Sequence, residues 1–130
     1  MKPRLLSTLF SLAAFVGLAA FDLCGLGQNF SKLHEIVRRW KLGRRRAPLG
    51  IAGLVCNSVN HACCWYPKRA LCLQRAVVTT CLLRTCGVSA QMVLGARMLP
   101  FKAHAWVEVD GRPLTESLDV ARVYGIWERC

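Results

Sequence analysis

The stretch AHAWVEVDG at positions 103–111 decides the fold of this chain, together with CLQRA at positions 72–76. The aromatic and β-branched residues of 103–109 predict a strand, and Asp110-Gly111 is typical of a two-residue hairpin turn. In the segment that runs from Lys68 to Thr85, apolar residues recur at helical spacing between Leu71 and Leu83, and Gly87 suits the position just after a helix end. A helix followed by antiparallel strands indicates an α+β fold.

The segments on either side extend this pattern. Residues 90–97 are short and apolar, which predicts a strand, and Leu99-Pro100-Phe101 interrupts it before the strand that carries His104. Residues 112–116 predict the returning strand of the hairpin. Upstream we expect helices over 31–40 and 49–61, the second broken at Cys63 before Pro67.

Composition limits the class of protein. The 130 residues suggest one domain, which we divide into residues 1–47, an apolar helix with a basic helix and linker, and a core over 48–130. A hydrophobic content of 54% excludes a disordered polar chain. Only one segment approaches the ~20 apolar residues of a membrane span, which excludes a polytopic membrane protein. Eight cysteines, taken alone, suggest a secreted disulfide scaffold.

The N-terminal region leaves several interpretations open. Residues 5–21 carry no charge, and they suit a packed or peripheral helix, a membrane anchor or a signal peptide. Six of the nine residues from Arg38 to Arg46 are basic, which fits a solvated helix end or an anionic membrane surface. We expect no nucleic-acid partner, because no aromatic platform accompanies the charges. A membrane surface, contacted through residues 5–46, therefore remains one of the candidate partners.

Two residues predict thiol chemistry. Cys72 lies in or just before the first turn of its helix, where the helix dipole and nearby cations stabilise a thiolate. His104 on the facing sheet is the candidate base. The alternatives are a buried structural cysteine and a structural histidine. We expect no metal, since the adjacent Cys63 and Cys64 are poor chelating partners, and no cofactor.

The acid of such a site depends on the strand register. A two-residue turn at Asp110-Gly111 pairs Ala105 with Glu116, which puts Glu116 on the face of the sheet opposite His104. This register favours Asp119 as the acid. A three-residue loop or a bulge puts Glu116 on the face of His104. Glu108 shares the face of His104 but is expected to lie too far along the strand.

The residues resemble one known family. The stretches that carry the resemblance are Trp65-Tyr66-Pro67, Cys72-Leu73-Gln74-Arg75-Ala76, Gly87-Val88, Gly95, Pro100-Phe101, Ala103–Glu108 and Asp110-Gly111. Over residues 49–116 the chain is similar to the stand-alone leader peptidase, or B protein, of lasso-peptide biosynthesis. The resemblance implies a transglutaminase/papain-like core, in which a nucleophile helix packs on a small antiparallel sheet after N-terminal helices.

The resemblance also implies roles and partners. Cys72 would be the nucleophile of a cysteine protease, His104 the base and Glu116 the acid, although the family's acid is often Asp. As a separate hypothesis of mechanism, the Cys72 backbone N–H at the helix N-terminus would donate to the oxyanion, with Trp65, Tyr66 or Gln74 as open choices for a second donor. The implied partners are the leader of a precursor peptide, a small leader-recognition protein and an ATP-dependent lasso cyclase, and the implied location is cytoplasmic.

Other classes of function remain open on the sequence. The eight cysteines also suit a secreted disulfide-rich binding protein, and the apolar and basic segments suit a membrane-surface protein without chemistry. A transglutaminase-like acyltransferase would use the same three residue types on the same fold.

Overall fold

The chain forms helices followed by a small antiparallel sheet. A computed structural model describes residues 3–23, 30–44, 50–67, 72–98, 101–114 and 124–129. The order of the described elements is α1 (Pro3–Leu23), α2 (Phe30–Arg39), α3 (Ile51–Trp65), α4 (Cys72–Thr85), β1 (Ala90–Met98), β2 (Phe101–Val109), β3 (Arg112–Pro113) and β4 (Gly125–Arg129). The strand order in the sheet is β3-β2-β1-β4, and every neighbouring pair is antiparallel. The α+β prediction is confirmed.

Helix α4 ends where Gly87 predicted. It begins at Cys72 and ends at Thr85, and Gly87 follows with φ of 88°. The Val88 N–H donates to the Leu83 carbonyl at 2.9 Å, and the Gly87 N–H donates to a carbonyl of the last turn at 3.0 Å. This pair of bonds is a Schellman motif, which satisfies carbonyls at the helix end and needs a residue that tolerates positive φ.

Helix α3 differs from the prediction. It was expected to break at Cys63, but it continues through Cys63 and Cys64 to Trp65. Ala62 is buried in the core, and packing of this face holds the last turn of the helix. The helix ends where the following proline requires it, because Tyr66 is extended at φ −71° and ψ 130°.

The hairpin between β2 and β3 fixes the register. Asp110 and Gly111 both have positive φ, 53° and 75°, as a type I′ turn requires. Val109 pairs with Arg112, and the Leu114 N–H donates to a β2 carbonyl at 3.0 Å. The two-residue turn is therefore confirmed, and the three-residue loop is excluded.

The sheet has a helix-facing side and an outer side. Ala105 and Val107 of β2 belong to the main core, which the helices share. Trp106 and Val93 form a second cluster with Tyr124. Since side chains alternate along a strand, His104 lies on the outer side with Trp106.

Helix α1 is packed along one side only. Ala14, Leu18 and Phe21 are buried, and α1 contacts α3 and α4. Within the described residues, one helix, 4–23, is long and apolar enough to cross a membrane, a test that buried core helices and signal sequences also pass.

Candidate functional site

The structure brings Cys72 and His104 to one cavity. The cavity has a volume of about 210 Å³ and lies between α3, α4 and β2. Cys72 lines it at the first turn of α4, and His104 lines it at β2, with its imidazole on the outer side of the sheet beside Trp106 and Tyr124. The remaining lining residues are Cys56, Val59, Asn60, Arg75, Ala76, Thr79, Ala105, Trp106 and Val107.

Cys72 is an exposed thiol at a helix start. As the first residue of α4, it is one of the residues whose backbone N–H has no partner within an α-helix. The six described cysteines are all free, so the described residues contain no disulfide framework. Cys64 is the other exposed thiol among them.

The remaining described thiols are disfavoured as nucleophiles. Burial raises the pKa of Cys81 to about 11, against a weaker opposite effect of Arg84. Burial also raises the pKa of the Cys56, Cys63 and Cys86 thiols, and Arg75 partly offsets this at Cys63. Since the thiolate is the nucleophile, these four sites are less reactive near neutral pH.

His104 lies among aromatic rings. Its ring centroid is 5.8 Å from that of Trp106, with the planes nearly parallel, and 5.3 Å from that of Tyr124. The Trp106 indole N–H donates to Glu108 Oε1 at 3.1 Å, and Arg129 Nε lies 3.4 Å from Glu108 Oε2. The buried Glu108 thus fixes the indole on which the imidazole stacks.

Gly95 makes room for this stack. It pairs with His104 across β1 and β2. A Cβ at Gly95 would lie 2.9 Å from Trp106 Cη2 and 3.1 Å from the Gly125 carbonyl oxygen. Because these neighbours are a buried indole and a backbone carbonyl, a Cβ would force one of them to shift, so the position favours glycine.

The acid predicted at Glu116 lies outside the described residues, and so does its alternative, Asp119. The register of the described hairpin is the one under which the sequence favours Asp119. Both oxygens of Glu108 have partners other than His104, which agrees with leaving Glu108 out of the site.

The side chains suggested as a second oxyanion donor have other partners. Gln74 is buried and its amide donates to the Leu18 carbonyl of α1 at 2.8 Å. The Trp65 indole N–H donates to His61 at 3.3 Å, and the Tyr66 hydroxyl donates to α1. None of these three side chains lines the cavity in this arrangement, and a second donor from this group stays a prediction.

Asn60 and Arg75 are polar residues that line the cavity. The Arg75 guanidinium donates to Asn60 Oδ1, which links α4 to α3 at the cavity wall. With its oxygen accepting from Arg75, the Asn60 amide offers its N–H groups as donors. Sequence reasoning missed Asn60, because a single asparagine on a helix has no pattern that marks it.

The described part of the chain contains no group of three or more His, Cys, Asp or Glu residues that could hold a metal ion. The cavity instead combines a thiol, an imidazole, an amide and a guanidinium. This set suits acyl transfer through a thioester.

Comparison with known proteins gives the family. Residues 24–127 match the model of the transglutaminase-like superfamily, a range that contains both Cys72 and His104. No curated protein and no solved structure matches the chain. The superfamily is generally one of cysteine peptidases and acyltransferases, which agrees with the groups in the cavity. The match covers most of the sequence, and the chain therefore belongs to the transglutaminase-like superfamily.

Proposed function

We propose that this protein is a cysteine peptidase that removes the leader from a ribosomally made lasso-peptide precursor. The observation that carries the proposal is that Cys72 and His104 line the same cavity. The superfamily match and the resemblance of the two motif stretches to leader peptidases support it further. A separate leader-recognition protein and an ATP-dependent cyclase would complete the system in the cytoplasm.

The reaction would pass through a thioester. His104 accepts the proton of the Cys72 thiol, and the sulfur attacks the carbonyl carbon of the leader–core junction. The C–N bond breaks, His104 returns the proton to the departing amine, and the core leaves with a free N-terminus. Water, deprotonated by His104, then attacks the thioester, which releases the leader carboxylate and regenerates the thiol.

Two donors suit the oxyanion of the tetrahedral intermediate. One is the backbone N–H of Cys72, which lies at the positive end of the α4 dipole. The other is the side-chain amide of Asn60, which Arg75 orients. Loss of one such donor typically lowers kcat by about 10²–10³-fold. Asn60→Ala should show a loss of this order with little change in thermal stability.

The acid is assigned by resemblance to Glu116, with Asp119 as the alternative. Replacing each with its amide distinguishes them, because the residue that orients His104 should cost orders of magnitude in kcat and the other residue little. If both variants lost only a small and equal part of kcat, neither Glu116 nor Asp119 would be the acid of the proposed mechanism.

The direct test is cleavage of a precursor peptide in the presence of the recognition protein. Cys72→Ala should abolish cleavage, whereas Cys64→Ala, which removes the other exposed described thiol, should retain the wild-type rate. Full activity of Cys72→Ala would contradict the mechanism. If an added primary amine captures the acyl group faster than water does, the protein is an acyltransferase instead.

A count of thiols separates the peptidase from a secreted disulfide-rich protein. The six described cysteines are free, as expected in a reducing compartment. Native protein should therefore titrate at least six thiols after denaturation without reductant. A count near zero would favour the secreted binding protein.

A further inference from the structure

Helix α1 has an exposed apolar face. Its packed side carries Ala14 and Leu18, whereas Leu5, Leu9, Leu12 and Val16 are exposed. Spacings of four, three and four residues place these four side chains on one side of the helix. Leu12 and Val16 are 60% and 66% exposed. We name this row the α1 stripe.

Polar contacts hold α1 against the domain. The buried Gln74 amide donates to the Leu18 carbonyl at 2.8 Å, and the Tyr66 hydroxyl donates to the Asp22 carboxylate. This bond is the main cause that raises the pKa of Tyr66. A helix inserted across a bilayer would lose both contacts and expose the core side of α3 and α4. The two contacts therefore favour an α1 that stays packed against α3 and α4, with the α1 stripe exposed.

The apolar surface continues beyond α1. A groove of about 290 Å³ runs between α1, α2 and α4, and its lining is almost entirely apolar. Val16 of the α1 stripe and Trp40 both line this groove, which places Trp40 on the same side of the molecule. Tryptophan is enriched where proteins meet the membrane–water interface, and Trp40 is 43% exposed.

Positive charge surrounds Trp40 in the chain. Arg38, Arg39, Lys41 and Arg44 are exposed, and within the described residues Arg39 forms an ion pair with Glu35 at 2.7 Å. The whole chain carries a formal charge of +11. A second copy of the chain would bring the same cations to the same patch, and the two copies would repel each other. An anionic lipid surface offers the opposite charge.

We propose that the α1 stripe and Trp40 dock on an anionic phospholipid bilayer, with α1 lying parallel to the membrane plane. The apolar side chains enter the headgroup and acyl boundary, and the cations at the end of α2 contact lipid phosphates. The catalytic cavity, formed by α3, α4 and β2, remains outside the bilayer. This proposal is independent of the leader-peptidase function.

The test is co-sedimentation with vesicles. Full-length protein is mixed with vesicles of phosphatidylcholine alone or of phosphatidylcholine and phosphatidylglycerol at a ratio of about 3:1, at low and at high salt. We expect at least about ten-fold stronger partition onto the anionic vesicles, and release at about 0.5 M salt. Absence of binding to anionic vesicles, or retention at high salt as for a spanning helix, would overturn the proposal.

A matched pair of variants identifies the surface. Leu9→Glu with Val16→Glu adds two charges to the α1 stripe, whereas Ser89→Glu with Gln91→Glu adds two at exposed positions on the sheet side. The first pair should lower partition at least about ten-fold, and the second should change it less than about three-fold. Equal losses would show that net charge alone drives binding. A wild-type dimer in light scattering that the α1 variant dissociates would assign the stripe to a second copy instead.

Discussion

Substitution of Gly95 tests whether the rings around His104 are held as closely as the structure indicates. Alanine at this position places its Cβ 2.9 Å from Trp106 Cη2, 3.0 Å from Trp106 Cζ3 and 3.1 Å from the Gly125 carbonyl oxygen. Real Cβ atoms essentially never approach other heavy atoms as closely as 2.9 Å. The indole is 1% exposed and its N–H is bonded to Glu108, so it cannot rotate away without losing a buried hydrogen bond.

The expected cost follows from these contacts. Overpacking of a core by one methyl group typically destabilises a protein by about 1–3 kcal/mol. Gly53 supplies the control, because it lies on an exposed side of α3 and a Cβ there meets nothing within 4 Å. Gly53→Ala should instead stabilise the protein by about 0.5–1 kcal/mol through helix propensity. The two variants should therefore differ by about 1.5–4 kcal/mol in the free energy of unfolding.

Urea unfolding followed by circular dichroism measures this difference. The midpoint should fall for Gly95→Ala and rise slightly for Gly53→Ala, with no change in the slope m. The Gly95 variant should also lower the rate of any reaction that depends on His104, because its stacking partner has moved. Equal unfolding midpoints in the two variants would refute the packing around Trp106.

Further predictions concern a buried acid, a buried thiol and the α1 contact. Glu108→Ala should destabilise the fold by about 1–3 kcal/mol, since the buried Trp106 N–H loses its acceptor, whereas Glu108→Gln should retain most of the stability. Because burial raises the pKa of Cys81 to about 11 from an ordinary value near 9, the stability that this thiol contributes is lost as pH rises from about 9 to 11. Cys81→Ala should reduce the fall of the free energy of unfolding between about pH 9 and pH 11, measured by denaturant unfolding at each pH, and Cys64→Ala should leave this fall unchanged. Gln74→Leu should lower the free energy of unfolding by about 0.5–1.5 kcal/mol through loss of its bond to α1.

Specific outcomes would contradict these predictions. Glu108→Gln as unstable as Glu108→Ala would assign the loss to the charge rather than to the acceptor for Trp106. An alkaline slope identical in wild type and Cys81→Ala would show that this thiol ionises at the same pH in the folded and unfolded chain. Unchanged stability of Gln74→Leu would remove the polar link between α1 and α4.

Turn-forming residues in the sequence were sufficient to predict the end of α4 and the hairpin between β2 and β3. Gly87 after a run of helical spacing predicted the end of α4, and Asp110-Gly111 predicted the turn of the hairpin, because both need positive φ. The resemblance then predicted the superfamily, which the match confirms. The division of the chain at residue 47 stays a prediction.

Other features depend on contacts between distant residues. The cysteines at 63 and 64 gave no sign that α3 continues, since its last turn is held by packing of Ala62 into the core. Strand β4 was not predicted, because its five residues form a strand by pairing with β1, a contact that the local sequence does not specify. Asn60 reaches the cavity through the geometry of α3 against α4, which sequence spacing does not specify.

The central claim is that Cys72 and His104 act together as a thiol–imidazole pair. The direct measurement is the rate of iodoacetamide alkylation of each cysteine at pH 7 in native protein, resolved by peptide mass spectrometry. Cys64 is the internal control, because it is equally a free and exposed thiol. Cys72 should react about ten-fold or more faster than Cys64 in the wild type, and at nearly the rate of Cys64 in His104→Ala. Equal rates in the wild type, or an unchanged Cys72 rate in His104→Ala, would contradict the account.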